Sequence, residues 1–186
     1  MNMRELVMKA RSVRRFDASQ PVSRDALRGL VDLARCAPCG GNQQKLRYRI
    51  VSDADECAAV FPHIAWAGAL PDWPGPAEGE RPTGYLAIVG EGGADTDTGI
   101  AAQTIQLAAA EQGLGCCMLG AIKRDRIKAA LGLPGELDIK LLLALGVAAE
   151  TIEIDAATAG DDLRYYRGAD DVHHVPKLRL EDVLIA

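Results

Sequence analysis

The chain has 186 residues, 48% of them hydrophobic and 25% charged, with a net charge of −5. That length suits a single domain, 1–186, whose core needs no disulfide or metal staple. Ordinary glycine and proline usage excludes collagen-like and low-complexity classes.

In chain order, residues 2–10 read as a short helix with Leu6 and Ala10 four apart. Ser23 is a candidate N-cap for the next helix, whose apolar face is Leu27, Leu30, Val31 and Ala34. Pro38 and the Gly40-Gly41 pair end it. Residues 46–52 alternate through Leu46, Tyr48 and Ile50, a strand pattern, and 53–61 read as a helix. Residues 62–83 hold five prolines and both tryptophans, Trp66 and Trp73, and are expected to form an ordered loop or lid. A short apolar strand follows at 85–90. The strongest helix spans 97–112, with Asp97 as its expected cap and Gly113 as its stop. Then come a strand at 115–119, a helix at 123–131 and a buried strand at 140–147. From 151 onward the chain reads as mostly extended or irregular. Interleaved helices and strands imply an α/β or α+β fold around one sheet.

Charge is unevenly spread. Residues 1–15 carry five basic side chains against one acid, so the rest of the chain is net −9. A net acidic chain is a poor general nucleic-acid binder, and a local basic pocket suits a small anion. No apolar run reaches the length of a membrane span, and the first residues lack the apolar stretch of a signal peptide. Five cysteines in this setting are expected as reduced thiols in a cytoplasmic protein.

Three segments carry chemistry. Arg11-Ser12-Val13-Arg14-Arg15 offers guanidinium and hydroxyl donors to a phosphate, though a solvated basic turn reads the same way. Cys36-Ala37-Pro38-Cys39 has the spacing of a redox dithiol, but it closes a helix instead of opening one. The same stretch, continued through Gly40, Gly41 and Asn42, also reads as a loop that lets a flat ligand touch backbone. In His173-His174-Val175-Pro176-Lys177-Leu178-Arg179, adjacent histidines point apart on an extended chain, which argues against a chelating pair. Lys177 and Arg179 share one face if extended. Cys116-Cys117 reads as core, and His63 stands alone. Dinucleotide-binding, P-loop, metalloprotease and hydrolase-elbow motifs are absent from the sequence.

Together these segments resemble the flavin-dependent nitroreductase family, across nearly the whole chain. The resemblance rests on Arg11-Ser12-Val13-Arg14-Arg15-Phe16, on Ala37-Pro38-Cys39-Gly40-Gly41-Asn42-Gln43-Gln44, on the Ala-rich helix at 99–112, on Gly113-Leu114-Gly115 leading to Met118-Leu119-Gly120, and on Lys177-Leu178-Arg179. It implies an α+β fold: a three-layer α/β/α sandwich on a mixed, mainly antiparallel sheet, in an intertwined homodimer with FMN at the interface. It further implies that Arg11, Ser12, Arg14, Lys177 and Arg179 hold the phosphate and ribityl chain. Pro38, Cys39, Gly40 and Asn42 of the other subunit contact the ring, and Leu119-Gly120 approach it near N5. Trp66, Trp73 and Tyr85 are candidate walls of a substrate pocket.

The sequence departs from the family pattern at Ala10, where a basic residue is common, at Cys39, where serine is usual, and at Lys45-Leu46. The resemblance implies transfer of a hydride from NADH or NADPH through FMN to quinones, nitro compounds or activated alkenes, with no catalytic side chain. A non-catalytic FMN-binding sensor or storage protein, and a dithiol redox protein using Cys36 and Cys39, are the competing readings.

Overall fold

Strand alternation divides the apolar residues between two faces of one sheet. In the computed structural model, which describes residues 1–92 and 95–185, four strands run in the order β1-β2-β4-β3, every neighbouring pair antiparallel. They are β1 (Arg47–Val51), β2 (Gly84–Gly90), β3 (Leu114–Leu119) and β4 (Asp138–Val147). Val51, Tyr85, Ala87, Val89, Cys117 and Leu142 face one side, with Cys57, Val60 and Ile127 from α3 (Ala54–Val60) and α5 (Arg124–Ala130). Leu86, Ile88, Cys116, Leu143 and Leu145 face the other, against α2 (Arg24–Ala34) and α4 (Asp95–Glu111). The result is the expected three-layer α/β/α sandwich. A register shift between Ile88 and Val89 explains why Ile139 and Leu142 share a face despite odd spacing: one extra residue on β4 reverses the alternation.

Most local signals act as read from the sequence, but α2 stops at Ala34, short of the Pro38 and Gly40-Gly41 expected to end it. Ser23 caps α2 by accepting from the Ala26 N–H at 3.1 Å. Gly113 ends α4 at φ 79°, in the left-handed region that glycine adopts without strain. Asp97 is not the cap of α4: the helix already runs at Asp95, and the Asp97 carboxylate instead accepts from the Gly40 N–H at 2.9 Å. Helix α1 (Met3–Lys9) is opened by a capping box between Asn2 and Glu5.

Residues 62–83 are mostly irregular but tied down. The Ala65 N–H donates to the Ala121 carbonyl at 2.9 Å, and Trp66 is buried against Phe61. The tail is more regular than its sequence indicates. Strands β5 (Ile152–Ala157), β6 (Tyr166–Arg167) and β7 (His173–Leu178) form a second sheet in the order β5-β7-β6, in which β5 and β7 pair in parallel. A short helix, α6 (Leu180–Val183), follows.

Candidate functional site

The basic segment after α1 is stitched along the edge of the main sheet. Ser12 bridges Cys116 in β3, and the Val13 N–H donates to the Cys116 carbonyl at 3.0 Å. This approach needs Gly115, because a Cβ there would stand 2.8 Å from Val13 Cγ1. Farther on, the Asp17 N–H donates to the Val147 carbonyl and Phe16 is fully buried. These contacts set where Arg11, Ser12, Arg14 and Arg15 point.

The arginines then diverge. Arg11 lines a cleft of about 250 Å³ with Lys9, Val13, Gly113, Gly115 and Glu150. Its Nε is buried without a hydrogen-bond partner, and burial pushes its pKa down. Glu150, the carboxylate in that cleft, is already committed: it accepts from the backbone N–H groups of Arg14 and Arg15 and from Arg167 Nη2 at 2.9 Å. A desolvated guanidinium beside a satisfied carboxylate keeps its charge for an incoming anion.

Arg14 is held on several sides. Its Nη1 donates to the Ser12 carbonyl at 3.1 Å and reaches His173 Nε2 at 3.2 Å, and its guanidinium lies 4.5 Å from the Tyr165 ring centroid. Arg15 pairs with Asp171 at 2.6 Å, and the guanidinium groups of Arg15 and Arg167 lie 5.9 and 5.7 Å from the Trp73 ring centroid. His173 is fully buried, with its pKa pushed down to about 4 by burial first and then by Arg14.

Other expected site residues take distinct places. Lys177 is exposed on β7, and Arg179 is exposed as the N-cap of α6, where its N–H donates to the Ala157 carbonyl. Lys177 is four residues along β7 from His173, about 13 Å at the rise of a strand, and among the described residues no hydrogen bond or ion pair joins Lys177 or Arg179 to Arg11 or Arg14. The histidines point apart as expected: His173 meets Arg14, while His174 stacks on Tyr166 and pairs with Asp155 at 3.1 Å. No cluster of metal-ligating side chains forms among the described residues. Pro38 and Cys39 line a cavity of about 300 Å³ between the end of α2 and the start of β1 and α4. The turn beyond it puts Gly41, Asn42 and Gln44 at φ near +50°. Cys36 donates to the Asp32 carbonyl at 3.4 Å and Cys39 accepts from the Gln44 N–H at 3.4 Å, so the two sulfurs serve separate backbone groups. Leu119 is buried, whereas Gly120 is exposed with open space where a Cβ would stand. Trp66 and Tyr85 belong to the core, and Trp73 is packed partly buried against it.

Sequence reasoning missed Glu150, His173 as the partner of Arg14, Tyr165 and Arg167. Glu150 lies 135 residues from Arg15, and no local pattern announces such a contact.

The comparisons agree with this frame. No curated protein matches the chain. Among solved structures, a nitroreductase family protein from Clostridium difficile 630 is 23% identical, covers 81% of this chain and 86% of its own, and superposes with a TM-score of 0.66. A nitroreductase from Exiguobacterium sibiricum, solved in complex with FMN, is 16% identical over 81% of this chain and 90% of its own, with a TM-score of 0.67. A protein described as NADH dehydrogenase/NAD(P)H nitroreductase from Parabacteroides distasonis is 16% identical, covers 91% of this chain and 99% of its own, and has a TM-score of 0.66. At these identities the likeness is one of fold. No helix among the described residues is long and apolar enough to cross a membrane. The family model for nitroreductases matches residues 7–88 and 85–147, the segment that builds the sandwich and carries Arg11 to Leu119, and the chain belongs to the nitroreductase family.

Proposed function

We propose that the chain is an FMN-dependent NAD(P)H oxidoreductase acting on nitro compounds, quinones or activated alkenes. In this reading it works as a homodimer, with 1–186 as one FMN-binding domain. The observation that carries the reading is the guanidinium of Arg11, whose Nε is buried without a partner at the cleft, within a chain of this family. The residues present fit the phosphate end of FMN. Arg11 offers free charge, Lys9 adds a second cation to the same cleft, and the one carboxylate there is neutralised by Arg167 and backbone donors.

Arg11, Ser12 and Arg14 would hold the phosphate and ribityl chain. His173 and Tyr165 fix the orientation of Arg14, and Gly115 keeps the segment close to the sheet. Lys177 and Arg179 stand outside the Arg11 cleft in a single protomer, so their part rests on the resemblance alone. Pro38, Cys39, Gly40 and Asn42 from a second protomer, with backbone at Leu119 and Gly120, would lie against the ring. The open space over Gly120 supports such an approach. Exposed Met3, Val7 and Met8 on α1, and Leu180, Val183, Leu184 and Ile185 at the tail, support burial against a second copy. When bound, FMN would supply the two-electron chemistry that links NADH or NADPH to a second substrate. The side chains bind and orient, and none is proposed as an acid or base.

The test is the visible absorbance spectrum after FMN reconstitution, before and after anaerobic NADH or NADPH. A bound flavin spectrum that bleaches supports the reading. A bound flavin that stays oxidised replaces it with a non-catalytic FMN-binding protein, and no bound flavin overturns it. Arg11→Ala is expected to weaken FMN binding by about tenfold or more, whereas Cys36→Ser leaves it unchanged, because the dithiol plays no part.

A further inference from the structure

The main sheet has two edges, and the Arg11 cleft lies at β3. At the other edge, between α3, the end of β1 and the start of β2, the described residues form a second cleft of about 340 Å³. Its walls include Ala58, Phe61, Pro82 and Cys57, and Ser52, Glu78, Arg81, Thr83 and Tyr85 are its polar residues.

Arg81 and Tyr85 each keep a buried polar atom without a hydrogen-bond partner. The Arg81 guanidinium lies 4.3 Å from the Phe61 ring centroid, its Nε is buried without a partner, and among the described residues it makes no ion pair or hydrogen bond. Tyr85 is fully buried, and its Oη also lacks a partner. Burial holds that phenol well above its ordinary pKa, so it stays a proton donor, and Arg81 and Cys57 are both close enough to bear on its ionisation. The Cys57 thiol, pushed up to about 11 mainly by burial, stays neutral and donates to the Thr83 carbonyl. A buried donor with no acceptor, beside a cation with no counter-ion, leaves two polar obligations open toward one cavity.

We propose that this cleft is a second small-molecule site, separate from the Arg11 cleft, which binds an aromatic monocarboxylate with its carboxylate on Arg81 and Tyr85 Oη. A carboxylate satisfies a guanidinium and a phenol together. A doubly charged group is disfavoured, because the cleft supplies one cation and Glu78 opposes further negative charge. The ring of the ligand packs against Phe61, Pro82 and Ala58, and the cavity falls in the size range of small-ligand sites. The inference does not depend on FMN.

The experiment is isothermal titration of the full chain with benzoate, and with benzamide as the uncharged analogue, repeated after FMN loading. One benzoate per chain is expected, with benzamide weaker by about tenfold or more. Arg81→Gln removes the preference for benzoate. Tyr85→Phe weakens benzoate severalfold while the protein stays folded, because Oη has no partner to lose. Arg81→Lys keeps a charge in place should the glutamine variant not fold, and it too weakens benzoate, since the bidentate fork is gone. Binding changes Trp66 emission, as the indole sits 5.9 Å from the Phe61 ring. Equal affinity for benzoate and benzamide, benzoate binding unmoved by Arg81→Gln and Arg81→Lys, displacement of benzoate by FMN, or no saturable binding would each overturn the proposal. FMN affinity unchanged in the Arg81 variants keeps this result apart from the oxidoreductase reading.

Discussion

The central sandwich and the tail sheet are built by different forces. Strand β2 is buried at every position from Gly84 to Gly90, and its neighbours pack apolar side chains on both faces. Strand β5 buries only Ala157, and the tail is tied to the rest of the chain by charge and ring contacts: Arg167 on Glu150, Arg15 on Asp171, Arg14 on His173 and on Tyr165. Burial is non-directional and tolerates sliding, whereas a guanidinium contact fixes an angle. The comparison teaches that the sandwich supplies stability while the tail supplies orientation, because the residues it grips are the arginines of the candidate site.

The largest effect should therefore come from the sandwich. Leu142 is fully buried in the centre of β4. Leu142→Ala is expected to cost about 2–5 kcal/mol, as a lost side chain and the cavity it leaves. Urea unfolding checks this, and the whole chain should lose stability together. A loss confined to the tail would break the comparison.

His173 gives an intermediate effect with a pH signature. Arginine only donates, so His173 Nε2 accepts from Arg14 and the ring proton sits on Nδ1. The groups facing the ring are Arg14 and Arg167, with Glu150 pulling the other way and His174 beside it. The folded pKa, about 4, lies below the ordinary value of 6.5. The unfolded chain therefore binds more protons between these values. The stability is fully present above pH 6.5 and is lost progressively as pH falls toward 4, at no more than about 1.4 kcal/mol per pH unit. His173→Gln keeps an acceptor without the charge, so the slope of urea midpoint against pH between 6.5 and 4 should flatten. An unchanged slope would assign that window to other groups.

These same forces decide what the sequence reveals. Period-two alternation through Leu46, Tyr48 and Ile50, the Ser23 cap and the Gly113 stop are local signals with local causes, and the structure uses them as read. The tail has no such signal, since half-buried strands held by polar partners leave no apolar period. Only the expectation that His173 and His174 point apart follows from strand geometry alone. Asp97 looked like a cap because nothing nearby competes for its carboxylate, yet its partner is the Gly40 N–H, 57 residues away. The Arg11-Ser12-Val13-Arg14 run was legible as an anion candidate, but the difference between Arg11 and Arg14 was not: it depends on Glu150, Tyr165 and His173, which only folding brings near.

The smallest effect should come from Asp171. Its carboxylate pairs with Arg15 at 2.6 Å and with Arg167 at 3.4 Å, and its side chain is 65% exposed. Asp171→Asn suits the backbone, because residue 171 has φ 66° and asparagine, like aspartate, enters that region more readily than most side chains. The substitution therefore removes charge and little else. Arg15 holds the Asp171 pKa below its ordinary value, so the pairing operates above that value and fades as the carboxylate is protonated in acid. At neutral pH and low salt the variant should unfold at a slightly lower urea concentration than the parent, and the difference should vanish in high salt, where exposed pairs are screened. Hydrogen exchange should quicken along β6 and β7 and stay unchanged in β2 and β4. Loosening of the sandwich to the same degree would mean that the ion pairs of the tail carry the fold itself, and the division of labour between the two sheets would be lost.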